Sequence, residues 1–194
     1  MQNAFKDSLK KLNDLNLVNF SNFSQRGIEK ESLRVNDSEI SNSDHPKALG
    51  SALTNPFITT DFSEALLEFI TRKSSTVEKA LDDLKIILTY THQNIEDVIW
   101  PGSVPCSIRD ESKIRIANYG TSNSGKLKEL YRIGLSYRYG SMMQCVSGIH
   151  YNFSLNEDFF KKWQGSKENF QSFQNEKYLN LIRNFRKNAW LLIY

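Results

Sequence analysis

The chain has 194 residues, 39% of them hydrophobic and 24% charged, which reads as a soluble globular protein with enough length for a core. No apolar run approaches the roughly 18–20 residues of a bilayer span, and Met1 to Asp7 lacks the pattern of a signal peptide. The net charge of +3 divides unevenly: residues 1–100 carry 11 Lys+Arg against 15 Asp+Glu, and residues 101–194 carry 14 against 7.

The basic residues are scattered rather than clustered, so no nucleic-acid partner is expected. An acidic, cation-holding half beside a basic half facing an anionic substrate fits better, with solvated helix faces as the plain alternative. Two cysteines, Cys106 and Cys145, are too few for a disulfide framework. Both are expected to be reduced and the protein cytoplasmic, with no membrane partner.

In chain order, residues 4–17 place Phe5, Leu9, Leu12 and Leu15 at helical spacing, an amphipathic opening helix. Gln25 to Val35 reads as a strand. Side chains alternate along a strand. Glu29, Glu31, Leu33 and Val35 therefore share one face, and Ile28, Lys30, Ser32 and Arg34 the other. Leu33 and Val35 call for a core, yet two glutamates share their side and are costly to bury unless paired or bound to a cation. Asn36-Asp37-Ser38 is a turn, and 41–46 a loop. Residues 57–71 are ambiguous, with strand favoured towards their end. Residues 76–99 carry the stripe Val77, Leu81, Leu84, Leu88, Thr91, Ile95 and Val98, a helix with Thr76 as N-cap. Pro101 and Pro105 follow it.

Residues 126–139 read as a helix after the loop 120–125, and residues 142–155 as an alternating strand. In that strand Met143, Cys145, Ser147, Ile149, Tyr151 and Phe153 form a packing face, opposite the polar Gln144, His150 and Asn152. Residues 175–194 again show helical spacing. The apolar ending Trp190 to Tyr194 is unusual for a terminus, so the chain is expected to be the N-terminal piece of a longer protein.

Three groups of residues are candidates for chemistry. Glu29, Glu31, Asp61 and Glu68 with His150 form an acidic set. Glu29 and Glu31 lie roughly 7 Å apart on one strand face, a spacing suited to two ions side by side. Oxygen-rich sites select Mg²⁺ or Mn²⁺, and a histidine ligand suits Mn²⁺. Salt-bridged or exposed acids and a structural histidine are the alternatives. Gly120 to Leu127 nearly matches a phosphate-binding P-loop, but Leu127 stands where a Ser or Thr should hold Mg²⁺, so a turn and helix start is expected instead. Tyr131 and Arg132, with Leu135, Tyr137 and Arg138, share one helix, where Arg132 is able to clamp a carboxylate. HExxH, CxxC and GxSxG do not occur.

Several strings together resemble the proteobacterial glutamate–cysteine ligases. They are residues 25–35 (QRGIEKESLRV), 45–54 (HPKALGSALT), 58–71 (ITTDFSEALLEFIT), 119–125 (YGTSNSG) and 147–155 (SGIHYNFSL). The resemblance implies an α+β, glutamine-synthetase-like curved antiparallel sheet, incomplete here, with flanking helices. It implies that residues 1–194 are the N-terminal part of a single catalytic domain. The implied activity is ATP-dependent ligation of the L-glutamate γ-carboxylate to the L-cysteine amine through an acyl phosphate, the first step of glutathione biosynthesis.

The implied metal ligands for Mg²⁺ or Mn²⁺ are Glu29, Glu31, Asp61, Glu68 and His150. Glu29, Glu31 and Arg132 carry the catalytic roles. Phe62, Tyr131, Arg132, Leu135 and Gln144 resemble a cysteine pocket, and Asn152 would lie near the glutamate. Family members are more than twice this length, so the chain alone is expected to be unstable or aggregating, and inactive, and the full-length protein a monomer. A non-catalytic metal-binding module and a sister ligase with another amine substrate are the alternatives.

Overall fold

A computed structural model describes residues 2–165 and 169–193. Ser166, Lys167 and Glu168 lie outside the described residues, as do Met1 and the final Tyr194 of the apolar ending. The described residues form a mixed helix and antiparallel-sheet protein, as the family resemblance implies. The chain divides into two compact units, Arg26–Phe153 and Met1–Gln25 with Ser154–Tyr194.

In the larger unit the sheet is built around β1 (Ser24–Asn36). A residue's N–H and C=O point to the same edge of a strand, so alternate residues serve opposite neighbours. Arg26 pairs with Ser74, Ile28 accepts from Thr71, and Arg34 bonds Ala65 and Ser41. These even-numbered residues serve β4 (Leu66–Ile70) and β2 (Glu39–Ile40). Glu31 and Leu33 bond Gly148 and Trp100 on the opposite edge, beside β6 (Ile149–Leu155) and β5 (Val98–Ile99). β3 (Ile58–Thr60) pairs with β4.

The two sheet faces differ in kind. Ile58, Leu67 and Phe69 share the face that packs against α2 (Val77–Gln93) through Leu84, Ile87 and Leu88. On the other face Leu33, Val35, Leu66 and Phe62 form a second core with Ile40, Ala65, Cys106, Ile114 and Cys145. Both cysteines are free and buried there. Arg34 belongs to the α2 side and is fully buried. It is held by Asp97 at 2.6 Å and by the carbonyls of Ser43 and Glu64 at 2.8 and 2.9 Å.

Thr76 caps α2 by accepting from the Lys79 amide, as its sequence position predicts. The helix is shorter than the 76–99 expectation. Asn94 leaves helical geometry and its side chain donates to the Tyr90 carbonyl, ending the helix at Gln93. Val98 and Ile99 then pair with β1. α3 (Asn123–Tyr139) starts earlier than 126, because Ser122 caps it by accepting from the Gly125 amide.

The strand expected over 142–155 is corrected more strongly. Met142–Cys145 is a short 3₁₀ turn and β6 begins only at Ile149. Its supposed packing face is open, with Ile149, Tyr151 and Phe153 all exposed.

In the smaller unit, α1 (Gln2–Asp14), α4 (Glu157–Gln164) and α5 (Phe170–Asn188) are the helices. Leu17, Phe159 and Phe160 are its buried centre, packed by Phe23, Trp163, Phe173 and Tyr178. Phe159 meets Phe160 and Trp163 edge-on, a favourable aromatic geometry. The helical spacing read over 175–194 is present, but Leu181, Ile182 and Phe185 are exposed. No described helix is long and apolar enough to cross a membrane.

Candidate metal and substrate site

The acidic face is set by strand register. Glu31 of β1 lies directly opposite Glu68 of β4, Leu33 opposite Leu66, and Glu29 opposite Ile70. Directly paired residues share a face, so a carboxylate row adjoins the apolar row on one side of the sheet. Like charges placed opposite one another destabilise a sheet. The effect falls on Glu68, whose carboxyl is pushed up to about 7 by burial and by the neighbouring Asp61, Glu29 and Glu31, with His150 opposing.

β6 completes the row from the other edge. From Glu31 to Glu29 to Gly27 along β1, the facing positions climb through Gly148, His150 and Asn152. The Gly148 amide donates to Glu31 Oε2 at 2.7 Å, and Asn152 Nδ2 donates to Glu29 Oε1 at 2.7 Å. His150 Nδ1 lies 3.2 Å from Glu29 Oε2. Asp61 joins from the end of β3, where its amide donates to the Leu66 carbonyl and closes the turn into β4.

Glu29, Glu31, Asp61, Glu68, His150 and Asn152 therefore come from β1, β4, β6 and the end of β3 to one region of the sheet. Among the described residues neither Glu31 nor Glu68 makes an ion pair. No three His, Cys, Asp or Glu side chains among the described residues are already drawn tightly enough to hold an ion. The donor chemistry nevertheless fits a hard divalent cation: on a partly buried face, Glu31 and Glu68 stand without a counter-charge.

The residues expected at a cysteine pocket divide into groups. Tyr131 and Leu135, with Leu127, Leu130, Gly134 and Arg138, line a shallow groove of about 330 Å³ on α3. Phe62 is 1% exposed and belongs to the core cluster against which Leu135 packs. Gln144 sits in the 3₁₀ turn, its amide bonded to Ser141. Arg132 turns away from that groove. Its Nε donates to the Asp61 carbonyl, its Nη1 to the Lys128 carbonyl at 2.9 Å, and its Nη2 lies 3.5 Å from the Asp61 carboxylate. The guanidinium also rests 4.7 Å above the Tyr119 ring.

The P-loop look-alike is a helix start, as expected. Ser122 accepts from the amide of Gly125 and its carbonyl from that of Lys126, so these N–H groups serve the helix. Gly125 is required by close approach, since a Cβ there would lie 2.5 Å from the Tyr119 carbonyl.

Sequence reasoning assigned no role to two residues at this site. Tyr119 shares its hydroxyl between the carbonyls of Thr60 and, at 3.0 Å, Asp61. Glu64 is buried and accepts two backbone amides. Both stood inside the family-like strings, and an acid among Phe62, Ala65 and Leu66 was the available signal.

A sheet backed by a helix on one face, with a carboxylate row on the other, defines an α+β protein with an acidic sheet face. The family model described as Glutamate-cysteine ligase matches residues 9–194, and the chain belongs to that family. It is 50% identical over 175 residues to the glutamate–cysteine ligase of Hahella chejuensis, covering 87% of this chain and 33% of the relative. The ligase of Janthinobacterium is 45% identical over 199 residues, covering 100% and 38%. The chain thus spans about a third of the length of the curated relatives it matches.

Among solved structures, it is similar to the Francisella tularensis glutamate–cysteine ligase in complex with AMP. The TM-score is 0.77 and the identity 39%, over 88% of this chain and 34% of that one. A bifunctional glutathione synthetase from Pasteurella multocida gives a TM-score of 0.79 and 33% identity, over 95% and 24%.

Proposed function

We propose that the whole protein carrying this sequence joins the γ-carboxylate of L-glutamate to the amine of L-cysteine, with ATP converted to ADP and phosphate. The γ-carboxylate attacks the terminal phosphorus of ATP and ADP leaves. The cysteine amine then attacks the acyl carbon, loses a proton, and phosphate departs. The row of opposed carboxylates, with Glu31 directly across from Glu68, is the observation that carries the reading, because such a row is stable when a cation joins it.

Glu29, Glu31, Asp61, Glu68 and His150 would hold Mg²⁺ or Mn²⁺ in this reading. When bound, the ions neutralise the charge of the transferring phosphoryl group. Asn152 and Gly148 hold Glu29 and Glu31 by hydrogen bonds. Asn152 also presents an amide beside the place where glutamate would lie. Tyr131 and Leu135 offer an apolar wall for a small side chain. Arg138 lines that wall, and the carboxylate clamp is Arg132, which follows Tyr131 on α3. Its present bonds to Asp61 and Lys128 would exchange for the cysteine carboxylate on binding. Phe62 and Gln144 would back the wall. This chain contributes the N-terminal part of the catalytic domain, and the use of ATP and a free thiol fits the cytoplasm.

Support comes from the family match and the similarity to an AMP-bound ligase. The test is ADP release by the whole protein in the presence of Mg²⁺. It is expected only when L-glutamate and L-cysteine are both supplied. Release with another amine but not cysteine would assign it to a different carboxylate–amine ligase.

A further inference from the structure

Glu64 lies in the turn between β3 and β4 and is 3% exposed. An ionised carboxylate in such a place is costly unless its oxygens are fully bonded. Here each oxygen has its own backbone donor: His45 N–H to Oε1 at 2.8 Å and Asn118 N–H to Oε2 at 2.7 Å. The backbone of Glu64 is also engaged, its N–H with the Arg115 carbonyl at 2.9 Å and its carbonyl with Arg34 Nη2 at 2.9 Å. One residue thereby ties the β3–β4 turn to the 41–46 loop, the 115–118 segment and β1.

The 115–118 segment leads directly to the site. Ala117 donates to the Phe62 carbonyl at 3.0 Å, and Tyr119 follows with its hydroxyl on the carbonyls of Thr60 and Asp61. The Tyr119 ring supports Arg132 at 4.7 Å. Asp61 and Arg132 thus both hang on a segment that Glu64 anchors.

The chemistry is specific to a carboxylate. Two converging N–H donors need two acceptors, and a glutamine would offer one oxygen and turn an NH₂ against the other N–H. A residue needed only to fill the turn would not have to accept a backbone N–H at each of two oxygens.

We propose that Glu64 is a positioning residue: it fixes the 115–119 segment so that Tyr119 aims Asp61 and Arg132. This rests on the proposed function only for what Asp61 and Arg132 do. Glu64 touches no substrate and takes no part in bond making.

The experiment compares Glu64→Gln, Tyr119→Phe and the double variant in the whole protein, reading KM for each amino acid and amide hydrogen exchange at Asn118. Glu64→Gln should speed exchange at Asn118 and raise the KM for L-cysteine about tenfold, the size of one lost bonded contact. The KM for L-glutamate should stay within about twofold. Tyr119→Phe keeps the ring, loses only the hydroxyl and should act in the same direction. The double variant should be no worse than the worse single one, as expected of residues acting in series.

Equal changes in both KM values, additive effects, or unchanged cysteine KM in Tyr119→Phe would overturn the inference. If Glu64→Gln does not fold, the Tyr119→Phe result decides it. If the unaltered protein releases no ADP with both amino acids, the functional reading fails. Exchange at Asn118 then still decides the anchoring, and an unchanged rate refutes it.

Discussion

Arg34 and Asp97 offer the sharpest stability test. Arg34 has a fully buried side chain, and Asp97 is 6% exposed at a separation of 2.6 Å. Burial holds the guanidinium below its ordinary value while Asp97 pulls it back up. In Asp97→Ala the guanidinium stays in place with only the Ser43 and Glu64 carbonyls as partners. Ser41 Oγ, 2.8 Å from the same carboxylate, also loses its acceptor.

Breaking a buried pair from one side costs about 3–5 kcal/mol. The two surviving carbonyl bonds argue for the lower end, about 3 kcal/mol. That is a large part of the ~5–15 kcal/mol by which domains are stable. The assay is urea unfolding of the whole protein and the variant, read from the midpoint at constant slope. A loss below about 1 kcal/mol would refute the reasoning, since that is the worth of an exposed pair.

Other outcomes follow from the same structure. Gly125→Ala would press a methyl group against the Tyr119 carbonyl and should destabilise by about 1–3 kcal/mol; an unchanged melting midpoint would refute the close approach. Arg72 holds the Asp83 carboxyl below the usual range, through its side chain and its amide at 2.7 Å. This contribution is complete above the unfolded pKa of about 3.9 and is lost as pH falls through the lower folded value. Asp83→Asn should therefore flatten the acid limb of a stability–pH curve, and a limb of unchanged slope would count against the clamp. Glu31→Gln should abolish ADP release by at least about a hundredfold while leaving the fold intact, and an undiminished rate would remove Glu31 from the ligand set.

The acidic face was legible because strand alternation is strict: Leu33 and Val35 fixed the buried side, and Glu29 and Glu31 had to share it. The helix over 77–93 was legible through its apolar stripe and its Thr76 cap. Its end was not, because Ile95 and Val98 continue the helical spacing after Asn94 has already turned the chain. Residues 142–145 deceived in the opposite sense. Alternating Met143 and Cys145 imitate a strand, but Cys145 alone is buried and the turn is 3₁₀.

Strand alternation put Arg34 on the face opposite Leu33 and Val35 and said nothing of its burial. Its face is covered by α2, and Asp97, 63 positions away, is its partner. Glu64 was hidden for the same reason. Its donors at His45 and Asn118 are backbone groups, which leave no trace in side-chain chemistry. Arg132 stood out as a clamp, while its bond to Asp61 emerges only once α3 packs beside the β3–β4 turn.

The proposed role of the carboxylate row on this sheet is to gather divalent cations. The direct measurement is Mn²⁺ titration of the whole protein, followed by the paramagnetic signal of the free ion, for the unaltered sequence and for Glu31→Gln and Glu68→Gln. Saturable binding, weakened about tenfold or more in each variant, is the predicted result. Affinity equal in all three proteins would contradict it.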